Sequence, residues 1–373
     1  MKSFPLKSPP AALQVDDYYD AAVLDPDVLR VKDRKQARCP VHGCSAMLEE
    51  CTYNKRWCLP YCRIHAIRLH PSLGSPTFVY YNGEGVENTK RARLRNIRFH
   101  PDFVRAHVLD NPQKAETHRL GHETSEDALS WNVFVPLLQT RRLGIALQHL
   151  SRGHMVASST LPELYLWGSR IDLENVSFKE YEPLLAARKF FERDIKRFPT
   201  EPDVMLITDQ MVMCIEAKLT SGNPIASKKA KVEAGAKPKM PEGIIKRYFD
   251  AWSESQRYID RQTLAKSTLH SQLFRNIVFA AQMAAQQGKD WHVVNLVSRT
   301  QWFNCKRTPQ RDYDFNDPTV SITGYLRREF RDHFTFCTWE ELYREVVQGH
   351  PGLEELTAYL RGKTTHLERA FDI

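Results

Sequence analysis

The stretch from Glu201-Pro202-Asp203 to Glu216-Ala217-Lys218 gathers the side chains that phosphate chemistry uses, two or more carboxylates and an amine. DVMLIT (203–208) and MVMCIEAKL (211–219) both read as strands, and only Asp209 and Gln210 separate them. A hairpin with a two-residue turn pairs Thr208 with Met211 and therefore sets Asp203 opposite Glu216. Side chains so placed have Cβ atoms ~5 Å apart. Lys218, two residues beyond Glu216, emerges on the same face. Asp-Gln is not a favoured hairpin turn, so a slip in register stays open. Facing carboxylates repel one another, and a cation between them removes the repulsion. Their hard oxygens suit Mg²⁺ or Mn²⁺. Asp203, Glu216 and the backbone carbonyl of Ala217 can form one side of such a shell. Lys218 can then orient the attacking water and offset charge developing on a phosphate. The plainer alternative is an edge hairpin with an exposed salt bridge. VMLIT and MVMCI are apolar on both faces, however, as buried central strands are.

A second constellation lies near the start. Five of the eight cysteines (Cys39, Cys44, Cys51, Cys58, Cys62) fall between residues 39 and 62. Cys39-Pro-Val-His-Gly-Cys44 and Cys62-Arg-Ile-His65 make a C-x4-C…C-x2-H pattern. Tetrahedral Zn²⁺ takes four thiolate or imidazole ligands, commonly as two close pairs, so Cys39, Cys44, Cys62 and His65 are the candidate structural zinc ligands. The long connection leaves His42, Cys51, Cys58 and His70 as substitutes. Nothing in the pattern suggests an open catalytic position. No secretion signal is recognised, so a reducing, cytoplasmic setting is expected, in which a cysteine cluster binds metal before it forms disulfides.

The elements that must position these groups follow from pattern. TFVYYNG (77–83) reads as a strand, and Arg91, Arg93, Arg95, Arg98 and Arg105 follow it among aromatics, suited to phosphate contact or to a solvated face. From Thr124 to Leu150 the spacing is helical, with Thr124 or Ser125 as cap and Pro136 as a kink or break. Residues 161–168 read as a strand and 184–197 as an amphipathic helix. The polar stretch 220–243 reads as a linker. Helices are expected over 244–264 and 269–287, the second ended by Gly288. Strands are expected at 291–298 and 334–339, and a closing helix from Leu353. The expected organisation is a polar arm over 1–37, a zinc-binding and Arg-rich region over 38–115, a catalytic core over 116–345 and a helical end over 346–373.

Pro202-Asp203, twelve residues, then Glu216-Ala217-Lys218 resembles the motif of the PD-(D/E)XK nucleases, the restriction-endonuclease-like superfamily. The resemblance covers roughly residues 120–300. It implies an α/β fold with a mixed central sheet flanked by helices, here with a small N-terminal zinc-binding module. It also implies an acidic residue on the preceding helix, matched by Glu126 in SEDALSWNVF. A glutamine and basic residues on the following helix are matched by Gln272 and Arg275 in HSQLFRNIVFA. Glu126 also suits a helix N-terminus for electrostatic reasons alone. Gln272 also suits an amphipathic surface, and Gln256 in SESQRY is an alternative.

Composition agrees with that reading and excludes others. In 373 residues, 53 Lys plus Arg exceed 45 Asp plus Glu, a net charge of +8 that favours polyanionic partners. No apolar run is long enough to span a bilayer. No nucleophile elbow and no phosphate-binding glycine loop occur. The expectation is a Mg²⁺-dependent nuclease acting on DNA, in restriction or defence against foreign DNA. The alternatives are an RNA-directed nuclease and a non-catalytic, zinc-containing nucleic-acid-binding protein. A homodimer or a partner protein is compatible with either.

Overall fold

A computed structural model describes residues 17–25, 38–48, 61–70, 77–111, 118–154, 159–196, 199–226, 240–299, 313–314 and 316–373. The chain divides into two units: Met1–Ala128 with Tyr359–Ala370, and Leu129–Ala358 with Phe371–Ile373.

In the first unit, β1 (Tyr61–Cys62), β2 (Ile67–His70) and β3 (Thr77–Tyr80) form an antiparallel sheet, followed by helix α1 (Val86–Leu94). Tyr19, Leu24, Cys39, Ile67, Phe78 and Tyr80 form its small core. A buried carboxylate binds the returning C-terminal segment to it. Glu123 accepts hydrogen bonds from Thr77 Oγ1 (2.6 Å) and the Leu367 amide (2.8 Å), while Lys363 Nζ donates to the Glu123 carbonyl.

The second unit is built on a seven-stranded mixed sheet. Its strands are β4 (Glu163–Leu166), β5 (Ser169–Asp172), β6 (Ser177–Glu180), β7 (Val204–Ile207), β8 (Met211–Lys218), β10 (Asp290–Val297) and β12 (Phe334–Thr338). Their spatial order is β12, β10, β8, β7, β4, β5, β6. β8, β10 and β12 run parallel, and the remaining pairs are antiparallel. Two short strands, β9 (Asn223–Pro224) and β11 (Tyr313–Asp314), pair beside it. Every residue of β8 is buried, as its two-sided apolar run requires of a central strand.

Helix α5 (Ser271–Gln287) covers one face of this sheet; here Leu273, Phe274 and Ile277 share a core with Met205, Ile207, Val212 and Cys214. Gly288 ends the helix with φ 64, a left-handed conformation that glycine adopts without steric cost.

Helix α2 (Glu126–Gln139) is capped by Ser125, whose Oγ accepts the Ala128 amide at 3.1 Å. Pro136 lies inside α2, and the break falls later, before α3 (Leu143–Leu150). Arg141 is the turning point, with φ 57. Helix α4 (Glu182–Phe191) and helix α6 (Glu354–Gly362) correspond to the remaining expected amphipathic helices.

One expected helix is corrected. Residues 244–264 do not form a continuous rod. The chain turns after Phe249, whose carbonyl accepts Ser255 Oγ at 2.8 Å, and is extended at Ile259 (φ −127, ψ 136). A new short helix then starts at Asp260, whose carboxylate accepts the Thr263 amide at 2.8 Å. Stacking of Trp252 on Tyr258 and their burial override the helical propensity of the segment. The β5–β6 hairpin was not anticipated, although Ser169–Glu180 alternates weakly about the four-residue turn Leu173-Glu174-Asn175-Val176. Residues 227–239 of the expected linker, and 1–16 and 26–37 of the expected arm, lie outside the described residues.

Candidate active site and metal centre

The β7–β8 hairpin has the register expected from its two-residue turn. Val204 pairs with Ile215, Met205 with Cys214, Leu206 with Met213 and Ile207 with Val212. Local chemistry makes up for the unfavoured Asp-Gln turn. Thr208 Oγ1 accepts the amides of Gln210 (3.1 Å) and Met211 (3.0 Å), and Asp209 accepts the hydroxyls of Ser159 (2.7 Å) and Thr160 (3.1 Å).

Asp203 sits one residue before β7, and its Oδ2 accepts the Ala217 amide at 2.8 Å. Alternation along the strands puts Asp203, Glu216 and Lys218 on the face that carries Met205, Val212 and Cys214, the face covered by α5. Glu216 is 2% and Lys218 6% exposed. Lys218 Nζ donates to Glu216 Oε1 at 2.5 Å, and Asn276 Nδ2 of α5 donates to Oε2 at 2.8 Å. The opposite charge and the amide donor offset the cost of burying this carboxylate. Behind them Asn295 Nδ2 donates to the Glu216 carbonyl (3.4 Å) and Asn223 Nδ2 to Asn295 Oδ1 (2.9 Å). The Lys218 carbonyl accepts Trp339 Nε1 (3.1 Å) and the Ser298 amide (3.1 Å), fixing the end of β8.

The donor set is one that Mg²⁺ accepts: carboxylate oxygens, each with a lone pair left after its present bond, beside a lysine. Among the described residues, Asp203 and Glu216 are not part of any group of three His, Cys, Asp or Glu side chains with mutually close ligand atoms. Glu126 lies half-buried in the first turn of α2, in the other unit. Gln272 is half-buried on the first turn of α5; Asn276, one helical turn later, is the side chain that reaches Glu216. Arg275 Nε instead donates to the Ser271 carbonyl at 3.1 Å. Gln256 is exposed on a separate short helix. Sequence reasoning missed Asn276, Asn295 and Asn223. A signal existed for Asn276, a polar residue four positions after Gln272 on an otherwise apolar helix face.

In the first unit, the ligand atoms of Cys39, Cys44, Cys62 and His65 all lie within 4.8 Å of one another. Cys39 Sγ is 3.4 Å and Cys62 Sγ 3.7 Å from His65 Nδ1. A tetrahedral zinc with ordinary Zn–S and Zn–N bonds separates sulfur from nitrogen by roughly 3.6 Å, so the donors fit that ion. The three cysteines are free thiols. The Cys39 thiol donates to Cys62, which holds Cys62 down to about 4 and pushes Cys39 up. One thiolate is thus already favoured before a cation arrives. His42 is exposed and outside this group; Cys51 and Cys58, and the side chain of His70, lie outside the described residues.

One arginine expected at a nucleic-acid surface has a different role. Arg95 is buried and donates to the carbonyls of Ala66 (2.8 Å) and His65 (3.2 Å), with its guanidinium over the rings of Tyr19 and Tyr80. It braces the loop carrying His65. Arg91 and Arg98 remain on the exposed side.

No helix among the described residues is long and apolar enough to cross a membrane. No curated protein and no solved structure matches the chain. A family model described as "Restriction Endonuclease associating with ARP" matches residues 70–363, which begins after the Cys39, Cys44, Cys62 and His65 group and takes in the whole seven-stranded sheet. With its mixed sheet, its buried acid–lysine pair and that match, the chain belongs to the restriction-endonuclease family REase-ARP.

Proposed function

We propose that the chain is a Mg²⁺-dependent nuclease of the PD-(D/E)XK type that hydrolyses phosphodiester bonds of DNA, acting in restriction of foreign DNA. The observation that supports this most is Asp203, Glu216 and Lys218 on one buried sheet face under Asn276 of α5. Bound there, Mg²⁺ or Mn²⁺ would supply Lewis-acid stabilisation of charge on the scissile phosphate.

Asp203 and Glu216 would hold the cation, with the Ala217 carbonyl. Asn276 would keep Glu216 in its rotamer, since it already fixes Oε2. Lys218 pairs with Glu216 in the present structure, and a divalent cation at that carboxylate would free its ammonium. The ammonium would then orient the attacking water and stabilise charge on the phosphate oxygens. Gln272, at the start of the same helix, would contact the substrate backbone beside them. The Cys39, Cys44, Cys62 and His65 site would hold a structural Zn²⁺, and the net charge of +8 favours a nucleic-acid partner.

The test is digestion of linear DNA, plasmid DNA and RNA side by side, with Mg²⁺, with Mn²⁺ and with chelator. DNA cleavage that needs the cation and is lost on Asp203→Ala supports the proposal. Cleavage of RNA alone assigns the site to the other nucleic acid. Salt-dependent DNA binding without cleavage under any metal assigns the chain a binding role only.

A further inference from the structure

The second unit carries another convergence of metal-binding groups, at the opposite end of the sheet. His154 follows α3, Asp290 is the first residue of β10, and His333 is the last residue before β12. One ligand atom from each lies within 4.8 Å of the others. The rings of His154 and His333 are 4.7 Å apart between centroids, tilted by 56°. Because β10 runs parallel to β8, Asp290 pairs with Met211 while Val297 pairs with Lys218. Five residue steps along β10 therefore separate Asp290 from the level of Glu216 and seven from that of Lys218, or roughly 17–23 Å at ~3.3 Å per residue. The two sites are distinct.

The hydrogen bonds around His333 prepare it as a ligand. Its Nδ1 lies 2.8 Å from the Trp291 carbonyl, which can only accept, so Nδ1 carries the proton and neutral His333 keeps its lone pair on Nε2. A metal-binding imidazole is commonly anchored in this way, through its other ring nitrogen to a backbone carbonyl. Asp290 Oδ1 accepts the Trp291 amide at 2.8 Å, which orients the carboxylate. The same oxygen is 3.4 Å from His333 Nδ1, too long to be the main bond of either group. His292 lies alongside, with its ring 6.4 Å from that of His154 and its Nε2 on Thr335 Oγ1 at 2.9 Å. Asp290 and His292 stand at the start of β10 and His333 just before β12, and His154 reaches them from the segment after α3.

We infer that His154, Asp290 and His333 form a second transition-metal site, of two imidazoles and one carboxylate, that takes Zn²⁺ and leaves the fourth position to water. Borderline nitrogen donors select zinc and its neighbours over Mg²⁺, so this site and the acid–lysine site do not compete for the same ion. The site ties together three segments distant in sequence, and it stands independently of the proposed nuclease activity.

The experiment is zinc stoichiometry by elemental analysis of the full chain, chelated and then reloaded. His154→Ala and Asp290→Asn are each expected to bind one zinc per chain fewer than wild type. Reloading with Co²⁺ should leave the thiolate-to-metal absorption of the Cys39, Cys44, Cys62 and His65 centre unchanged in both variants. A folded His154→Ala chain that binds as much zinc as wild type overturns the inference. Should a variant fail to fold, wild-type chain decides: Zn²⁺ should protect His154 and His333 from diethyl pyrocarbonate, mapped residue by residue by mass spectrometry, and equal modification with and without Zn²⁺ overturns it.

Discussion

Replacing Lys218 with Met removes the ammonium 2.5 Å from Glu216 Oε1 while keeping most of the side-chain volume. Glu216 is then a carboxylate with a 3% exposed side chain and only the Asn276 amide to compensate it. If the pair acted as an ordinary hydrogen bond, the loss would be about 0.5–1.5 kcal/mol. For a buried charge stripped of its partner the expectation is about 3–5 kcal/mol. The near-complete burial of both side chains selects the larger figure, because solvent is not there to screen the remaining charge. For a unit of this size that lowers the thermal midpoint by about 6–20 °C. Glu216→Gln combined with Lys218→Met should recover most of the loss, since no unpaired charge then remains. Mg²⁺ should stabilise Lys218→Met more than wild type at equal concentration, because the cation replaces the missing positive charge without having to displace it. Urea unfolding with and without Mg²⁺ measures all of this. A loss below about 1 kcal/mol for the single variant would refute the reasoning, as it would mean that Glu216 is not held as a buried ion pair.

Asn276→Ala should cost about 1–3 kcal/mol by leaving Glu216 Oε2 without its donor, and should slow cleavage even where the protein remains folded; unfolding curves and initial rates separate the two effects. Stripping metal from the Cys39, Cys44, Cys62 and His65 centre, or introducing Cys62→Ser, should unfold the small first unit and leave the large sheet intact, which amide hydrogen exchange resolves unit by unit. Burial holds Lys363 down to about 8, against 10.5 for a free lysine. Between these values the unfolded chain binds more protons than the folded one, so stability should rise with pH over that window, by about 3 kcal/mol, and stay flat below it. Lys363→Met should remove this rise in unfolding free energy measured from pH 7 to 10.5.

The parts of the fold that were legible in the sequence are those where one physical signal dominates. Unbroken apolar runs at 204–207 and 211–215 can be accommodated only in a central hairpin, and its two-residue turn fixed the register once Thr208 was available to bond the turn amides. The closely spaced Cys and His pairs likewise pointed to the four side chains that converge in the first unit and could hold a metal, because tetrahedral ligation demands short spacing within each pair. Where tertiary packing competes with local propensity, the sequence misled. The aromatic residues Trp252 and Tyr258 buried themselves by bending a segment that reads as one helix. Arg95 looked like a phosphate ligand because charge dominates a sequence reading, yet its guanidinium is held inside, donating to the carbonyls of Asp17, His65 and Ala66. Of the asparagines around Glu216, Asn276 is marked only by its place one helical turn after Gln272, and Asn223 and Asn295 carry no local signature; they converge through the crossing of β9, α5 and β10.

The most direct measurement of the central claim is the rate of Mg²⁺-dependent DNA cleavage by Glu216→Gln, a substitution that keeps shape and the Asn276 contact while removing the charge that would hold the cation. A cation held by Glu216 predicts a folded variant that still binds DNA in a salt-dependent way and cleaves none above background. Cleavage by Glu216→Gln at the wild-type rate, at the same Mg²⁺ concentration, would contradict it.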